Sequence, residues 1–343
     1  MDVRHVSEQN WHAFVGSLAR TMRICHPVAH EDDYRLAACG PGGCPRIGWN
    51  RYRAVQSLKP LLFEARLDVG EVLGAGGAPD AGGAPQAVFG AKACDLASLA
   101  VLDFVFADET ADPFYARNRR RTLIVSSDCT AFKEVCFCTL VGGKPYPEKG
   151  FDLNLSPAGG GYLVEAGSPK GRALLDEARE LFSPPSAAQL AEVAAARKRL
   201  TAALEEQQRA RGYAWGGTSK ELIERVFESG VWAEEAERCV ECGACNFVCP
   251  TCHCFLLSDH GRERFTRLRN WDSCQYKGFA RVGGGGNPRP ELYQRLRNRY
   301  EKKFHFCPVV MGVSGCTGCG RCVEACIGRI DMREVMKKLS GCR

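Results

Sequence analysis

The chain reads as an α+β protein: a mixed α/β domain over residues 1–165, a helical connector over 166–230 and an α-helical domain over 231–343. Three observations predict this. Short apolar runs in the first half each lead into a cysteine-bearing turn, with a helix-spaced segment between them. From Ser168 to about Gly230, apolar residues recur at three- and four-residue intervals. The last third carries two cysteine runs of identical spacing, joined by a long basic connector.

A chain of 343 residues can bury two cores. Its 45% hydrophobic and 25% charged content is that of an ordinary globular protein and excludes a disordered one. The segment Met1–Asn10 has no apolar h-region, and no stretch approaches a membrane span. The expectation is a soluble, cytoplasmic protein.

In the first domain, Gln86-Ala-Val-Phe-Gly90 and Arg121-Thr-Leu-Ile-Val-Ser126 read as buried strands. Between them Leu96, Leu99, Leu102 and Phe106 fall at helical spacing over Asp95–Phe106. Gly74 to Pro85 holds two copies of Ala-Gly-Gly-Ala-Pro. With no helix start directly behind it, this stretch reads as a surface insertion rather than a nucleotide-binding loop. Helices follow at Lys170–Phe182 and Ala187–Arg211, separated by Ser183-Pro-Pro-Ser186 as break and N-cap. A capping box at Thr218-Ser-Lys-Glu221 then opens another short helix.

Twenty cysteines in a chain without an export signal point to metal or cluster ligation rather than to disulfides. Cys239, Cys242, Cys245 and Cys249, followed by Pro250, form a C-x₂-C-x₂-C-x₃-C-P run, and Cys316, Cys319, Cys322 and Cys326 repeat the spacing. Such runs bind 4Fe–4S clusters in bacterial-type ferredoxins, where three cysteines hold one cluster and the fourth reaches the other. Cross-ligation gives the sets Cys239, Cys242, Cys245 with Cys326, and Cys316, Cys319, Cys322 with Cys249. Zinc sites also use C-x₂-C but rarely string four cysteines so tightly and repeat the run. Ile327 stands where proline usually follows the fourth cysteine. The connector is far too long for the compact βαββαβ ferredoxin, so residues 231–343 read as an α-helical ferredoxin-type dicluster domain.

Cys94, Cys129, Cys136 and Cys138 follow the two strands and would converge if those strands pair in parallel. A third cluster is the functional reading; a zinc site or buried thiols are the alternatives. Cys252, Cys254 and Cys274 could, with Cys307 or His253, hold a fourth cluster or form a redox-active thiol set, although packing is the plainer reading. Cys25, Cys39, Cys44 and Cys342 have no evident partner set and read as unligated.

The net charge of +6 is unevenly spread. Residues 262–303 carry twelve Lys and Arg against four Asp and Glu, so this segment is +8 and the remainder about −2. Its arginines, including Arg264, Arg267, Arg269, Arg295, Arg297 and Arg299, alternate with aromatics, a pattern that nucleic-acid binders share. Because they lie inside the cluster region, compensation of anionic clusters and steering of an acidic redox partner is the preferred account, and no nucleic acid is expected.

Several of these segments together resemble a known family. Cys94-Asp95, Cys136-Phe-Cys138, Phe151-Asp-Leu153, Cys249-Pro-Thr-Cys252, Trp271-Asp-Ser-Cys274, Asn287-Pro-Arg289 and Gly318-Cys-Gly-Arg-Cys322 resemble the iron–sulfur beta subunit of cytoplasmic sulfhydrogenases and its counterpart in anaerobic sulfite reductases. The resemblance spans most of the chain from about Lys59 onward. It implies an iron–sulfur electron-transfer protein working beside a flavin- and NAD(P)-binding subunit or a ferredoxin, and beside a catalytic subunit of hydrogenase, sulfite or sulfur reductase type. It also implies ligand roles for Cys94, Cys129, Cys136 and Cys138. No nucleotide fingerprint and no nucleophile–base pair is evident, so no catalytic residue is assigned. A substrate site at Cys252, Cys254 and Cys274 is the main alternative, and a zinc-rich nucleic-acid module a third.

Overall fold

The computed structural model describes residues 2–40, 47–71, 84–109, 111–215, 218–261 and 265–342. Cys44, Arg264 and nearly all of the Ala-Gly-Gly-Ala-Pro insertion lie outside them. Ten strands are present among the described residues: β1 (Asp2–Ser7), β2 (Arg23–His30), β3 (Asp33–Cys39), β4 (Arg66–Glu71), β5 (Gln86–Ala91), β6 (Thr122–Ser127), β7 (Leu153–Ala158), β8 (Gly161–Ala166), β9 (Phe255–His260) and β10 (Thr266–Trp271). Seven form one sheet in the order β1-β8-β7-β6-β5-β2-β3. Its centre, β7-β6-β5-β2, is parallel, and its flanks are antiparallel.

Burial explains the centre. Every residue of β6 is buried, as a parallel strand covered on both faces requires. Ala87, Phe89, Leu123 and Val125 point to a core that includes Trp11, Phe14, Val15 and Leu18 of the helix Glu8–Leu18. Val88 and Ile124, one residue out of step, point to the opposite core with Leu96, Leu99, Leu102 and Phe106. The helix expected between the strands spans Ala93–Asp103 and widens into a π-helical turn at Phe104–Glu109.

The connector helices stand where the spacing predicts them, at Pro169–Glu177 and Ala187–Ala210, followed by Ser219–Arg225. Ser186 and Thr218 cap the last two through capping boxes with Gln189 and Glu221. A third core gathers Leu222, Ile223, Trp232, Leu296, Tyr300, Phe304, Val335 and Met336 from the helices around the two runs. The basic connector is not purely helical. Its β10 pairs with β9 and, across a long stretch of sequence, with β4, all antiparallel. Alternating charge at Arg267 and Arg269 hid this hairpin in the sequence, because only Leu268 among the central residues of β10 supplies an apolar signal. No helix among the described residues is long and apolar enough to cross a membrane.

Candidate iron–sulfur centres

Sixteen of the cysteines line four neighbouring cavities. Cys239, Cys242 and Cys245 of the first run share a cavity of about 530 Å³ with Cys326 of the second, and Cys322 closes one wall. Cys316, Cys319 and Cys322 share another, of about 280 Å³, with Cys249. Each run thus sends its fourth cysteine to the other run's cavity. The glycines make this close approach: Gly328, just past Cys326, has no room for a side chain, since a Cβ would lie 3.0 Å from the Arg238 carbonyl carbon.

The N-terminal set converges too. β5 and β6 are parallel, and their carboxyl ends deliver Cys94, on the helix after β5, and Cys129, just past β6. With Cys136 and Cys138 they line a cavity of about 360 Å³ whose remaining wall includes Cys319, Gly318 and Leu204. Here the two halves interlock. The Phe137 amide donates to the Gly318 carbonyl at 2.8 Å. Gly318 sits at φ +64°, where a Cβ would lie 2.6 Å from the Phe137 carbonyl carbon. The long connector helix covers this loop, with Gln208 Nε2 donating to the Cys136 carbonyl at 2.7 Å.

A fourth cavity, of about 320 Å³, is lined by Cys252, Cys254, Cys274, Cys307 and His253. Neither nitrogen of His253 is spare: Nδ1 lies 3.0 Å from the Thr251 carbonyl and Nε2 2.9 Å from Lys302 Nζ. Cys25 lies in the sheet core, Cys39 in β3, and Cys342 beside Ser229 at 3.6 Å; none of the three lines these cavities.

Positive charge fills the spaces between the cavities. Arg299 lines three of them and is 5% exposed; Lys303 lines two and is 4% exposed. Arg299 Nε donates to Asn246 Oδ1 at 3.1 Å, and Lys303 Nζ donates to Thr251 Oγ1 at 2.8 Å. Neither has a carboxylate partner among the described residues. At the N-terminal cavity two arginines are paired with carboxylates instead: Arg321 with Asp95 at 2.8 Å, and Arg53 with Glu324. Lys92, fully buried there, donates to Asn50 O, Ser127 Oγ and Asp128 O. Burial holds its pKa down at about 8.

The thiols fit clusters better than single ions. Among the described residues, no three His, Cys, Asp or Glu side chains converge as one bound ion needs. They ring spaces instead. Burial pushes the bare thiols of Cys129, Cys245 and Cys316 up to about 12, a cost that coordination to iron removes by replacing the proton with a cation. The basic connector, read in sequence as compensating anionic clusters, places Arg295, Arg299 and Lys303 inside the protein. Lys92, Arg53 and Asn246 were not singled out, although Asn246 stands within the first run and Lys92 just before Cys94.

A family model described as a 4Fe-4S dicluster domain matches residues 238–330. Sulfhydrogenase 2 subunit beta of Pyrococcus furiosus is 30% identical over 336 residues, covering 95% of either chain. The chain belongs to this iron–sulfur beta-subunit family. As a family member it is an electron-transfer subunit, and the dicluster domain carries its 4Fe–4S clusters.

Proposed function

We propose that this beta-subunit relative passes electrons along a chain of cysteine-held clusters, between a flavin- and NAD(P)-binding subunit or ferredoxin and a catalytic redox subunit of hydrogenase, sulfite reductase or sulfur reductase type. The ligand sets are Cys94, Cys129, Cys136, Cys138; then Cys249, Cys316, Cys319, Cys322; then Cys239, Cys242, Cys245, Cys326. Bound cubanes would supply one-electron carriers. The observation that carries the reading is the sharing of walls. Cys319 belongs to both the N-terminal and the middle cavity, and Cys322 to both the middle and the outer one.

The protein's own residues set the conditions for transfer. Arg299, Lys303 and Arg53 keep positive charge beside the thiolates, which favours the reduced state. Buried Phe137 and Met332 help wall the middle cavity. The outer cavity reaches the surface: Cys242 is exposed, and Val240 and Ile327 are 61% and 72% exposed. Apolar residues left uncovered beside a ligand set suit a partner's docking face.

The test is anaerobic isolation of the native complex followed by reduction with NAD(P)H. Bleaching of the visible absorption together with about twelve irons or more per chain is expected, three ligand sets at four irons each. Stoichiometric zinc without iron would sink the proposal.

A further inference from the structure

We propose that Cys252, Cys254, Cys274 and Cys307 bind a fourth cubane cluster, a side branch of the relay. Its ligand assignment stands on its own geometry, and only its role rests on the function proposed above. The four cysteines share no regular spacing. They come from the loop after the first run, the turn after β10 and the start of the helix Cys307–Met311, yet they line one cavity.

That cavity resembles the middle and N-terminal ones in being ringed by four or more cysteines. Its volume of about 320 Å³ lies between the 280 Å³ and 360 Å³ of the middle and N-terminal cysteine cavities. Asn246 Nδ2 donates to Cys274 Sγ at 3.1 Å, while the Asp272 amide donates to the Cys254 carbonyl at 2.9 Å. Cys274 and Cys307 are buried. Backbone and side chains thus hold the thiols in place.

Charge supplies the second, independent observation. Arg299, Lys302 and Lys303 line the cavity, and no carboxylate among the described residues does. Lys59, 2% exposed, lies close by, with Nζ donating to the Asn246 carbonyl at 3.2 Å and stacked over Trp271 at 4.0 Å. Burying cations with only neutral partners is costly, so a fold that gathers them around four thiols is built for an anionic occupant. A cubane held by four thiolates carries net negative charge. His253 is not the fourth ligand, because both its nitrogens already have partners. Arg299 and Lys303 line both this cavity and the middle one, and Cys249 Sγ lies 3.3 Å from Oγ1 of Thr251, which lines this cavity.

The test uses the full chain, purified anaerobically and reconstituted with iron and sulfide. About sixteen irons per chain are expected, falling to about twelve in a Cys254→Ala/Cys274→Ala variant that keeps the remaining paramagnetic signals; Cys25→Ala stays at about sixteen. In the loaded wild-type protein, iodoacetamide should modify Cys342 while sparing Cys252, Cys254, Cys274 and Cys307. This second readout holds even if the double variant fails to fold. A wild-type chain with about twelve irons and a labelled Cys274, or with a Cys254–Cys274 disulfide, overturns the fourth site and leaves the relay standing. A chain without iron overturns both.

Discussion

The N-terminal cysteine cavity sits at the carboxyl ends of central strands in a seven-stranded sheet that has two apolar cores of its own, whereas the cavities of the two runs are wrapped by short helices and turns. Ala244–Phe247 and Arg321–Glu324, the helices inside the runs, have four residues each, too few to be stable alone. Lys92 apart, charge separates the regions in the same way. Arg321 and Arg53 at the N-terminal cavity answer to Asp95 and Glu324, while Arg299 and Lys303 face thiols, amides and carbonyls. A sheet can host a centre as an addition, but the run region is organised around its centres. Unpaired positive charge is concentrated where the fold depends on anions most.

The largest expected effect separates the regions by folding. Cys245→Ala and Cys129→Ala should each cost about four irons per chain. Cys245→Ala should also lower the melting temperature strongly and loosen the run region, because ligation there is coupled to folding. Cys129→Ala should leave the sheet's far-UV signature intact; equal unfolding in both would erase the distinction. Next, Gly318→Ala places a Cβ at positive φ against Phe137 and Cys138, and should destabilise the joint between the regions by about 2–4 kcal/mol in denaturant titrations.

A finer effect is electrostatic. Arg299→Met should lower the midpoint potentials of the run-region centres by tens of millivolts, on the order of a tenfold change in equilibrium constant for one electron, while the N-terminal centre shifts less. Redox titration followed by paramagnetic resonance would read this, and equal shifts everywhere would refute a local charge effect. The smallest effect belongs to the sheet. His26 is 3% exposed, and burial lowers its pKa from the usual 6.5. The unfolded chain therefore binds the proton more readily, so stability should fall as pH drops below about 6.5. A His26→Gln variant should show a flatter acid limb in thermal melts.

Much of this architecture was legible beforehand. The strands at β5 and β6, the capped connector helices and the two cross-reaching runs all follow from local periodicity and spacing. The β4–β10 pairing was not legible, since its partners are far apart and β10 lacks apolar alternation. Cys252, Cys254 and Cys274, with Cys307 or His253, were legible only as an alternative to plain packing, and the structure brings all five around one cavity.

Spacing of three and four residues along the backbone was enough to mark the two runs, because thiols that close in sequence must lie near one another in any turn-rich conformation. Everything contributed by distant segments waited for the folded chain. Parallel strands carried Cys94 and Cys129 to one edge, Gly318 let the second run dock on the Cys136–Cys138 loop, and a helix brought Arg299 between three cavities. Long-range convergence of this kind leaves no period in the sequence, since it depends on how whole elements pack and not on the local rise of the chain.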